Sequence, residues 1–320
     1  MTGIILHHYP QSPVTEKVRV AFGMKNLSWA SVEVPRLPPR PDLFPMTGGY
    51  RRIPVMQIGA DIYCDSQCIL RELERRFPKP GLFPPGGAGM PWGVMRWMDT
   101  DVFDLAVHIV LGADPAALPP NFAKDRGRLY LGPDFDLNKV NAELPHILSQ
   151  LRPQLGWIDQ RLATGRDFIL GEQAGMPDIA VYYIVWFLRG RWQGGPALLS
   201  EFPALEAWEA RVRAIGHGTM TEMSAGDALD AAREAEPDAP QPSDPKDPQR
   251  LTAGMGVTVV PDSDSGDPEV EGTIVSAGLE TLTLAHADPR VGTVHIHFPR
   301  VGYRVRPLDE DATGSGYLGS

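Results

Sequence analysis

The chain has 320 residues, of which 42% are hydrophobic and 22% charged, and its formal net charge is −10. This composition is typical of a globular protein with two or three domains, each with its own core. The excess of acidic residues argues against nucleic acid or an anionic membrane as the main partner. The first residues lack the features of a signal peptide, and no apolar stretch is long enough to span a bilayer. We therefore expect a cytoplasmic protein with no membrane partner and no nucleic-acid partner.

Residues 1–85 are predicted to form a small α/β domain. Gly3 to His8 is a short apolar run, Thr15 to Lys25 has the apolar spacing of a helix, and Trp29 to Val34 alternates as a strand does. Two short strands and an amphipathic helix follow. The two cysteines, Cys64 and Cys68, have the spacing of neither a redox pair nor a metal site, so we interpret them as small buried residues in a reducing compartment.

Ser12 lies between the first predicted strand and the first predicted helix. A thiolate bound there would be stabilised by the hydroxyl group and by the positive end of the helix dipole. Lowering a thiol pKa from about 8.5 to about 6.5 takes about 2.7 kcal/mol, whereas a hydrogen bond to a charged group supplies about 1.5–3 kcal/mol and the dipole about 0.3–1 kcal/mol. Ser12 is therefore a candidate catalytic residue. Tyr9 and Thr15 are alternative hydroxyl groups, and capping of the helix is the alternative role of Ser12.

A candidate binding element precedes the second predicted helix. Pro54 follows a loop and opens an apolar strand, so its bond with Ile53 is a candidate cis peptide bond that leaves the Ile53 backbone free to pair with a peptide-like ligand. Ser66, as the predicted N-cap of the helix, would bind a carboxylate, and Asp65 beside it would take an ammonium group. Together with the basic residue Arg52, these residues predict a site for an α-amino acid head group.

Residues 91–222 are predicted to form an all-helical domain. One helix is expected to run from about residue 94 to 111, and another from Leu144 to Leu162. The segment from Asp178 to Leu188 is apolar on all sides, as expected for a helix at the centre of a bundle.

Three segments follow the helical domain. Residues 223–250 are acidic and rich in proline, which predicts a linker. Residues 251–308 contain five short alternating segments broken by Gly, Asp and Pro, which predict a small β-barrel-like domain. The three histidines of this domain have no fixed fourth ligand, so no metal site is predicted. Residues 309–320 are expected to be a disordered tail.

In this order, the features of residues 1 to about 220 resemble the glutathione S-transferase family. Phe168 to Gly171, followed by Gly175 to Asp178, resembles the motif that begins the core helix of its helical domain. Gly175 replaces the usual Ser or Thr of the N-cap, at a cost of only a few tenths of a kcal/mol. The resemblance implies a thioredoxin-like α/β domain and an all-α helical bundle domain, to which this chain adds the β-barrel-like domain.

The resemblance also implies roles for single residues, with glutathione as the co-substrate. Ser12 matches the serine of serine-type members, Ile53 and Pro54 match the backbone clamp, Asp65 with Ser66 matches the γ-glutamyl site, and Arg52 falls where a basic residue contacts the glycyl end.

Two classes of function remain open at this point, and Arg51, Arg52 and the Pro-rich loop from Arg36 to Pro45 leave a third possibility, that the pocket takes a different thiol or no thiol at all. The first is transfer of glutathione to a small hydrophobic electrophile, or related peroxidase, isomerase or dehalogenation chemistry. Its electrophile pocket is expected between the two domains, with five possible lining residues, Trp97, Asp101, Phe103, Asp104 and His108. The second is a non-catalytic binding or regulatory module that interacts through its C-terminal β domain. A homodimer is expected, as is usual in the family.

Overall fold

The computed structural model of the protein describes residues 3–83 and 87–308. The N-terminal part has the predicted order of strands and helices, and its elements are β1 Ile4–His8, α1 Pro13–Met24, β2 Ser28–Glu33, α2 Phe44–Thr47, β3 Val55–Ile58, β4 Asp61–Cys64 and α3 Ser66–Arg76. Strand β1 pairs in parallel with β2 and antiparallel with β3, and β3 pairs antiparallel with β4. This is the thioredoxin-like arrangement that the resemblance implied.

Helices make up the next part, as predicted. They are α4 Gly89–Trp97, a π-helical turn Met98–Val102, α5 Phe103–Gly112, a 3₁₀ turn Pro115–Ala117, α6 Pro120–Leu131, α7 Leu137–Leu162, α8 Met176–Arg191, α9 Gly195–Leu199 and α10 Pro203–Ile215. Helix α8 is the central one, because its side chains are buried on all sides from Met176 to Val185. None of the helices in residues 3–83 and 87–308 combines the length and the hydropathy that crossing a bilayer requires.

Asp178 holds the start of α8, as the motif predicts. Its carboxylate accepts hydrogen bonds from the backbone N–H groups of Gly175 at 2.9 Å and Ile169 at 3.0 Å, and from the indole N–H of Trp208 at 2.8 Å. The carboxylate therefore joins the N-terminus of α8 to the preceding loop and to α10. Burial raises the pKa of Asp178, and the three hydrogen bonds offset part of this effect.

The C-terminal part contains the five predicted strands, and its elements are β5 Thr219–Glu222, α11 Ala225–Arg233, β6 Gly256–Pro261, β7 Val270–Ala277, β8 Thr281–Asp288, β9 Gly292–Pro299 and β10 Tyr303–Pro307. The β-rich region is thus confirmed, but its relation to the rest of the molecule differs from the prediction. Strand β9 pairs in parallel with β4, so the ten strands form one sheet in the order β10-β6-β7-β8-β9-β4-β3-β1-β2-β5. The region extends the thioredoxin-like sheet instead of forming a separate barrel.

The predicted linker over 223–250 is also structured in part. Helix α11 lies within it, capped by Ser224, and buries Ala228, Leu229 and Ala232. These three apolar side chains form a narrow buried stripe on the helix. Because acidic residues surround them, the sequence of this segment has the composition of a linker. Asp238, farther along, donates its backbone N–H to Asp61 of β4 at 2.8 Å. The segment is therefore bound along the sheet. The predicted tail over 309–320 lies outside the described residues.

Two large hydrophobic cores explain why the parts hold together. One joins α1 and α3 to the helical domain, with Phe22, Leu70 and Trp208 among its buried members. The other contains residues of the thioredoxin-like strands, such as Ile62, together with residues of the C-terminal strands, such as Ile296. Because the second core draws on both ends of the chain, neither end completes it alone.

Candidate functional site

A cavity of about 190 Å³ lies where the thioredoxin-like part, the helical domain and the C-terminal strands meet. Five of the six predicted site residues line it, namely Arg52, Ile53, Pro54, Asp65 and Ser66. The Ile53–Pro54 peptide bond is cis, as predicted. The sequence motif therefore brings its binding residues to one place.

Asp65, not Ser66, is the N-cap of α3. Its carboxylate accepts a hydrogen bond from the N–H of Gln67 at 2.8 Å, and its φ of 75° lies in the left-handed region that few residues other than glycine adopt. Ser66 is the first helical residue and is buried. The N-cap therefore lies one residue before the predicted position, but both side chains lie at the helix N-terminus on the cavity wall.

Hydrogen bonds link the Asp65 carboxylate to one tyrosine and, through it, to a second. Tyr303 of β10 donates a hydrogen bond to it at 3.1 Å, and the Tyr303 oxygen lies 2.7 Å from the Tyr50 hydroxyl group. Burial raises the pKa of Asp65, although the positive charge of Lys17 acts in the opposite direction. A ligand ammonium group would favour the ionised carboxylate and relieve this cost.

Arg52 is engaged by the loop between β6 and β7. Its Nε and Nη2 atoms donate to Asp267 at 3.0 and 2.6 Å, and Nη2 also donates to the hydroxyl groups of Ser263 and Ser265. Burial by itself lowers the pKa of Arg52, but Asp267 outweighs burial and raises it. Sequence reasoning missed both Asp267 and Tyr303, because only the pairing of β9 with β4 brings the β6–β7 loop to Arg52 and brings β10 to the cavity.

Cationic side chains outnumber acidic ones on the wall of this cavity. Its cations are Lys17, Arg40, Arg51, Arg52, Arg96 and Arg126, against the carboxylates of Asp65 and Asp99. Four of them have acidic partners nearby, because Lys17 binds Asp99, Arg52 binds Asp267, and Arg51 and Arg126 share Asp125. Arg40 donates to backbone oxygens of its own loop, and burial lowers its pKa to about 10. The surplus favours a ligand that carries an anionic group.

Ser12 does not line the cavity. It is the N-cap of α1, its hydroxyl oxygen accepts a hydrogen bond from the N–H of Thr15 at 3.2 Å, and it is only 2% exposed. Tyr9, by contrast, lines the cavity, and its hydroxyl oxygen accepts a hydrogen bond from Arg126 at 3.2 Å. Thr15 is fully buried. Of the three candidate hydroxyl groups, that of Tyr9 is the one on the cavity wall.

A second cavity, of about 160 Å³ and mostly apolar, adjoins the first. Tyr9, Phe103, Arg126 and Tyr130 line both cavities, and Val107, Leu111, Phe122 and Phe187 are among the apolar residues of the second. Phe103 is the one predicted electrophile-site residue found there. The other four do not line it. The Trp97 indole N–H donates a hydrogen bond to the Gln154 side chain, and the His108 ring bonds the backbone oxygen of Asp104. Asp101 and Asp104 are exposed.

His297 has structural partners, and the two cysteines are buried. His297 lies 2.7 Å from Asp61 and 3.0 Å from the hydroxyl group of Thr283. Within the described part of the chain, no group of three or more His, Cys, Asp or Glu side chains is arranged to hold a metal ion. Cys64 and Cys68 are buried free thiols, and burial raises the pKa of both.

Comparison with protein families gives two matches. The model of the glutathione S-transferase N-terminal domain matches residues 6–81, and that of the glutathione S-transferase C-terminal domain matches residues 141–211. A comparison with curated proteins finds no match.

Solved structures give a fuller match. A GST-like protein from Pseudomonas syringae is 33% identical with a TM-score of 0.76, and the alignment covers 95% of this chain and 99% of that protein. The similarity therefore extends through the C-terminal strands. A glutathione S-transferase from Rhodospirillum rubrum F11 (19% identity, TM-score 0.50) and poplar glutathione transferase F1 (12%, 0.51) each align with 66% of this chain, and with 87% and 92% of their own chains. At these identities they support the fold alone.

Proposed function

The chain belongs to the glutathione S-transferase family, and from this we propose that it binds glutathione as a co-substrate and transfers it to a small hydrophobic electrophile. The observation that carries the proposal is the convergence of Ile53, Pro54, Asp65 and Ser66 on one cavity. Each offers what one part of a γ-glutamyl peptide requires. The reaction type within the family, whether conjugation, peroxidase, isomerase or dehalogenation chemistry, is left to an electrophile screen.

The γ-glutamyl head group is the best-matched part of the proposed ligand. Its ammonium group would pair with Asp65, whose buried carboxylate has Lys17 as a nearby positive charge. Its carboxylate would accept hydrogen bonds from the free N–H groups at the start of the 11-residue helix α3 and from the Ser66 hydroxyl group. The backbone of Ile53 would pair with the cysteinyl residue.

The thiol would then lie near the start of α1, where the two cavities adjoin. Ser12 is the partner that the family resemblance implies, and its proton is free to be donated because the oxygen already accepts from Thr15. Tyr9 is the partner that cavity lining favours, since it faces both cavities and Arg126 already donates to its oxygen. Either hydroxyl group, with the helix dipole, supplies about the 2.7 kcal/mol that ionisation near neutral pH takes.

The electrophile would occupy the apolar second cavity. Phe103, Phe122 and Phe187 offer aromatic surface there, and Tyr9 lies at its border with the first cavity. An apolar substrate bound there would lie beside the proposed thiolate.

A non-catalytic glutathione-binding module is the second candidate function. The burial of Ser12 and the use of its oxygen as a helix cap favour it, because a capping serine need not touch the thiol. The two candidates differ in one measurable property, which is ionisation of the bound thiol.

The test is a glutathione titration across pH that follows the ultraviolet absorbance of the bound thiolate. Ser12→Ala and Tyr9→Phe identify the hydroxyl group, and Ser224→Ala is a matched control because Ser224 caps α11 in the same way as Ser12 caps α1. A lowered thiol pKa that one of the two variants restores, and that Ser224→Ala leaves unchanged, supports the transferase. Binding without ionisation supports the binding module, and absence of binding excludes glutathione.

We further propose a cytoplasmic homodimer, as is common in the family. Sedimentation velocity across a hundredfold range of protein concentration tests the assembly, since a dimer of 35.0 kDa chains sediments well apart from the monomer.

A further inference from the structure

The apolar cavity to which we assign the electrophile also carries positive charge. Three arginines, Arg36, Arg126 and Arg191, line it, and its lining among the residues that the structure describes includes no carboxylate. Its volume of about 160 Å³ is close to that of a cavity of about 150 Å³ that holds a benzene molecule. The cavity therefore offers space for one aromatic ring next to a local excess of positive charge.

The three arginines occupy two different positions in the cavity. Arg126 is only 6% exposed, lines the first cavity as well, and donates hydrogen bonds to Asp125 and to the hydroxyl oxygen of Tyr9. Arg36 and Arg191 are exposed to solvent and line the second cavity alone. These two side chains therefore lie at the mouth of the second cavity, away from its border with the first.

Aromatic rings, and not acidic side chains, contact the two outer arginines. The Arg36 guanidinium lies 4.6 Å from the centroid of the Phe122 ring, and that of Arg191 lies 5.4 Å from the Trp186 ring. Neither arginine belongs to an ion pair within residues 3–83 and 87–308. Burial lowers the pKa of Arg191, and the positive charges of Arg36 and Arg19 lower it further. An anion bound between the two outer arginines would relieve this repulsion.

We infer that the electrophile of this protein is a compact aromatic compound that carries a carboxylate at the end remote from its reactive carbon. The ring would fill the second cavity, the reactive carbon would lie at the border with the first cavity, and the carboxylate would lie between Arg36 and Arg191. A carboxylate inside the apolar part would lose its hydration at a large cost, whereas at the mouth it keeps contact with water and gains two cations. The inference rests on the proposed function, because it names the substrate class of the cavity given there to the electrophile.

The binding experiment compares 4-methylbenzoate with 4-methylbenzamide, which have the same ring and differ in charge. Isothermal titration calorimetry is carried out with an excess of glutathione, so that the first cavity is filled. With the unmodified protein we expect the benzoate to bind about tenfold more tightly, as for two exposed ion pairs. The preference should decrease between about 0.02 M and about 0.5 M salt, because exposed charges are screened.

Two variants and a matched control connect the preference to the mouth of the cavity. Arg36→Gln and Arg191→Gln should each reduce the preference for the benzoate about threefold, because each removes one of the two cations. Arg166→Gln is the control, because it removes the same charge from an exposed residue that lines neither cavity, and it should keep the full preference. All three residues are exposed, so these variants are expected to fold normally.

Turnover is measured with 4-(chloromethyl)benzoate and 4-(chloromethyl)benzamide. The thiolate sulfur attacks the methylene carbon, so that the C–S bond forms, the C–Cl bond breaks and chloride leaves with the bonding electron pair, while the thiol proton passes to solvent. Dividing kcat/KM by the uncatalysed rate removes the difference in reactivity between the two compounds. We expect this ratio to favour the benzoate by about tenfold.

Calorimetry decides the inference, whereas turnover decides the proposed function. Equal affinities for the two methyl compounds, absence of binding of either one, or a preference that both Arg36→Gln and Arg191→Gln keep would overturn the inference, even if the protein converts the chlorides. If the protein prefers 4-methylbenzoate but converts neither chloride, the result contradicts the proposed transfer, and the cavity is a binding site for an aromatic anion without that reaction.

Discussion

The hydroxyl group of Tyr303 donates a hydrogen bond of 3.1 Å to the carboxylate of Asp65, although the two residues are 238 positions apart. Asp65 caps the helix to which we assign the γ-glutamyl group in our proposal, whereas Tyr303 lies on the last described strand of the C-terminal region. The C-terminal strands therefore take part in the candidate site itself. Their role in the sheet and their role in the site have the same origin, the pairing of β9 with β4.

Replacing Tyr303 with Phe should weaken glutathione binding by about tenfold at neutral pH. The hydrogen bond from Tyr303 favours the ionised form of Asp65, and hydrogen bonds to charged groups are worth about 1.5–3 kcal/mol. Calorimetry measures the affinity. Tyr50→Phe is the comparison, because the Tyr50 hydroxyl group bonds Tyr303 and not Asp65, so its loss should cost less. Equal affinities of Tyr303→Phe and the unmodified protein would contradict this role for the contact.

The affinity for glutathione should fall as the pH falls through the raised pKa of Asp65. Burial raises this pKa, and the ligand ammonium group requires the ionised form. In Asp65→Asn, which keeps an oxygen for capping α3, the affinity should be lower by more than tenfold at pH 7 and should lose this pH dependence. The check is a calorimetric titration between about pH 4 and 8. An unchanged affinity for Asp65→Asn would remove the ammonium group from this position.

The same pKa predicts the sign of a stability effect. A carboxyl group whose folded pKa is raised holds its proton more tightly in the folded state, so its contribution to the free energy of unfolding decreases as the pH rises above the unfolded value of about 3.9 and through the folded pKa. Asp65→Asn should therefore be at least as stable as the unmodified protein at pH 7, and should lose this advantage near pH 3. Urea unfolding at both pH values measures it. A variant that is less stable at pH 7 would show that the charge of Asp65 stabilises the fold.

Asp178→Asn should lower the free energy of unfolding by about 2–4 kcal/mol. The carboxylate accepts three buried hydrogen bonds, and an amide in its place directs N–H groups at one or more of those donors. Urea unfolding followed by circular dichroism gives the value. Asp136→Asn, at the partly exposed cap of α7, is the matched control and should cost less than about 0.5 kcal/mol. Similar losses in the two variants would contradict a special role for Asp178.

The sequence predicted those features of the fold and of the candidate site that depend on residues close together in the chain. The cap motif at Asp178, the cis bond before Pro54 and the pair of Asp65 and Ser66 are local patterns with a local physical cause, and the structure contains each of them. The same holds for the order of elements in residues 1 to about 220 and for the number of strands after residue 250.

What the sequence did not predict depends on long-range pairing. The register of β4 with β9 joins Ile62 to Ile296, and no pattern in either segment specifies that partner. Asp267 lies in an Asp- and Ser-rich loop with the composition of an exposed turn, and it binds Arg52 only because this pairing brings the loop to that side chain. The burial of Ser12 likewise follows from packing around α1, which helix capping rules do not describe.

The C-terminal strands and the helical domain should unfold together in one transition. Strand β4 has β3 on one side and β9 on the other, and Ile62 of β4 packs in the same core as Leu284 of β8. Leu284→Ala should cost about 2–5 kcal/mol, as for other buried leucines. Because that core also holds residues of the thioredoxin-like part, the loss should lower the melting temperature of the helices as well. Circular dichroism of the helices and calorimetry of the whole chain should give coincident transitions, both shifted in the variant. An independent barrel would instead melt first, leaving the helical transition at its original temperature.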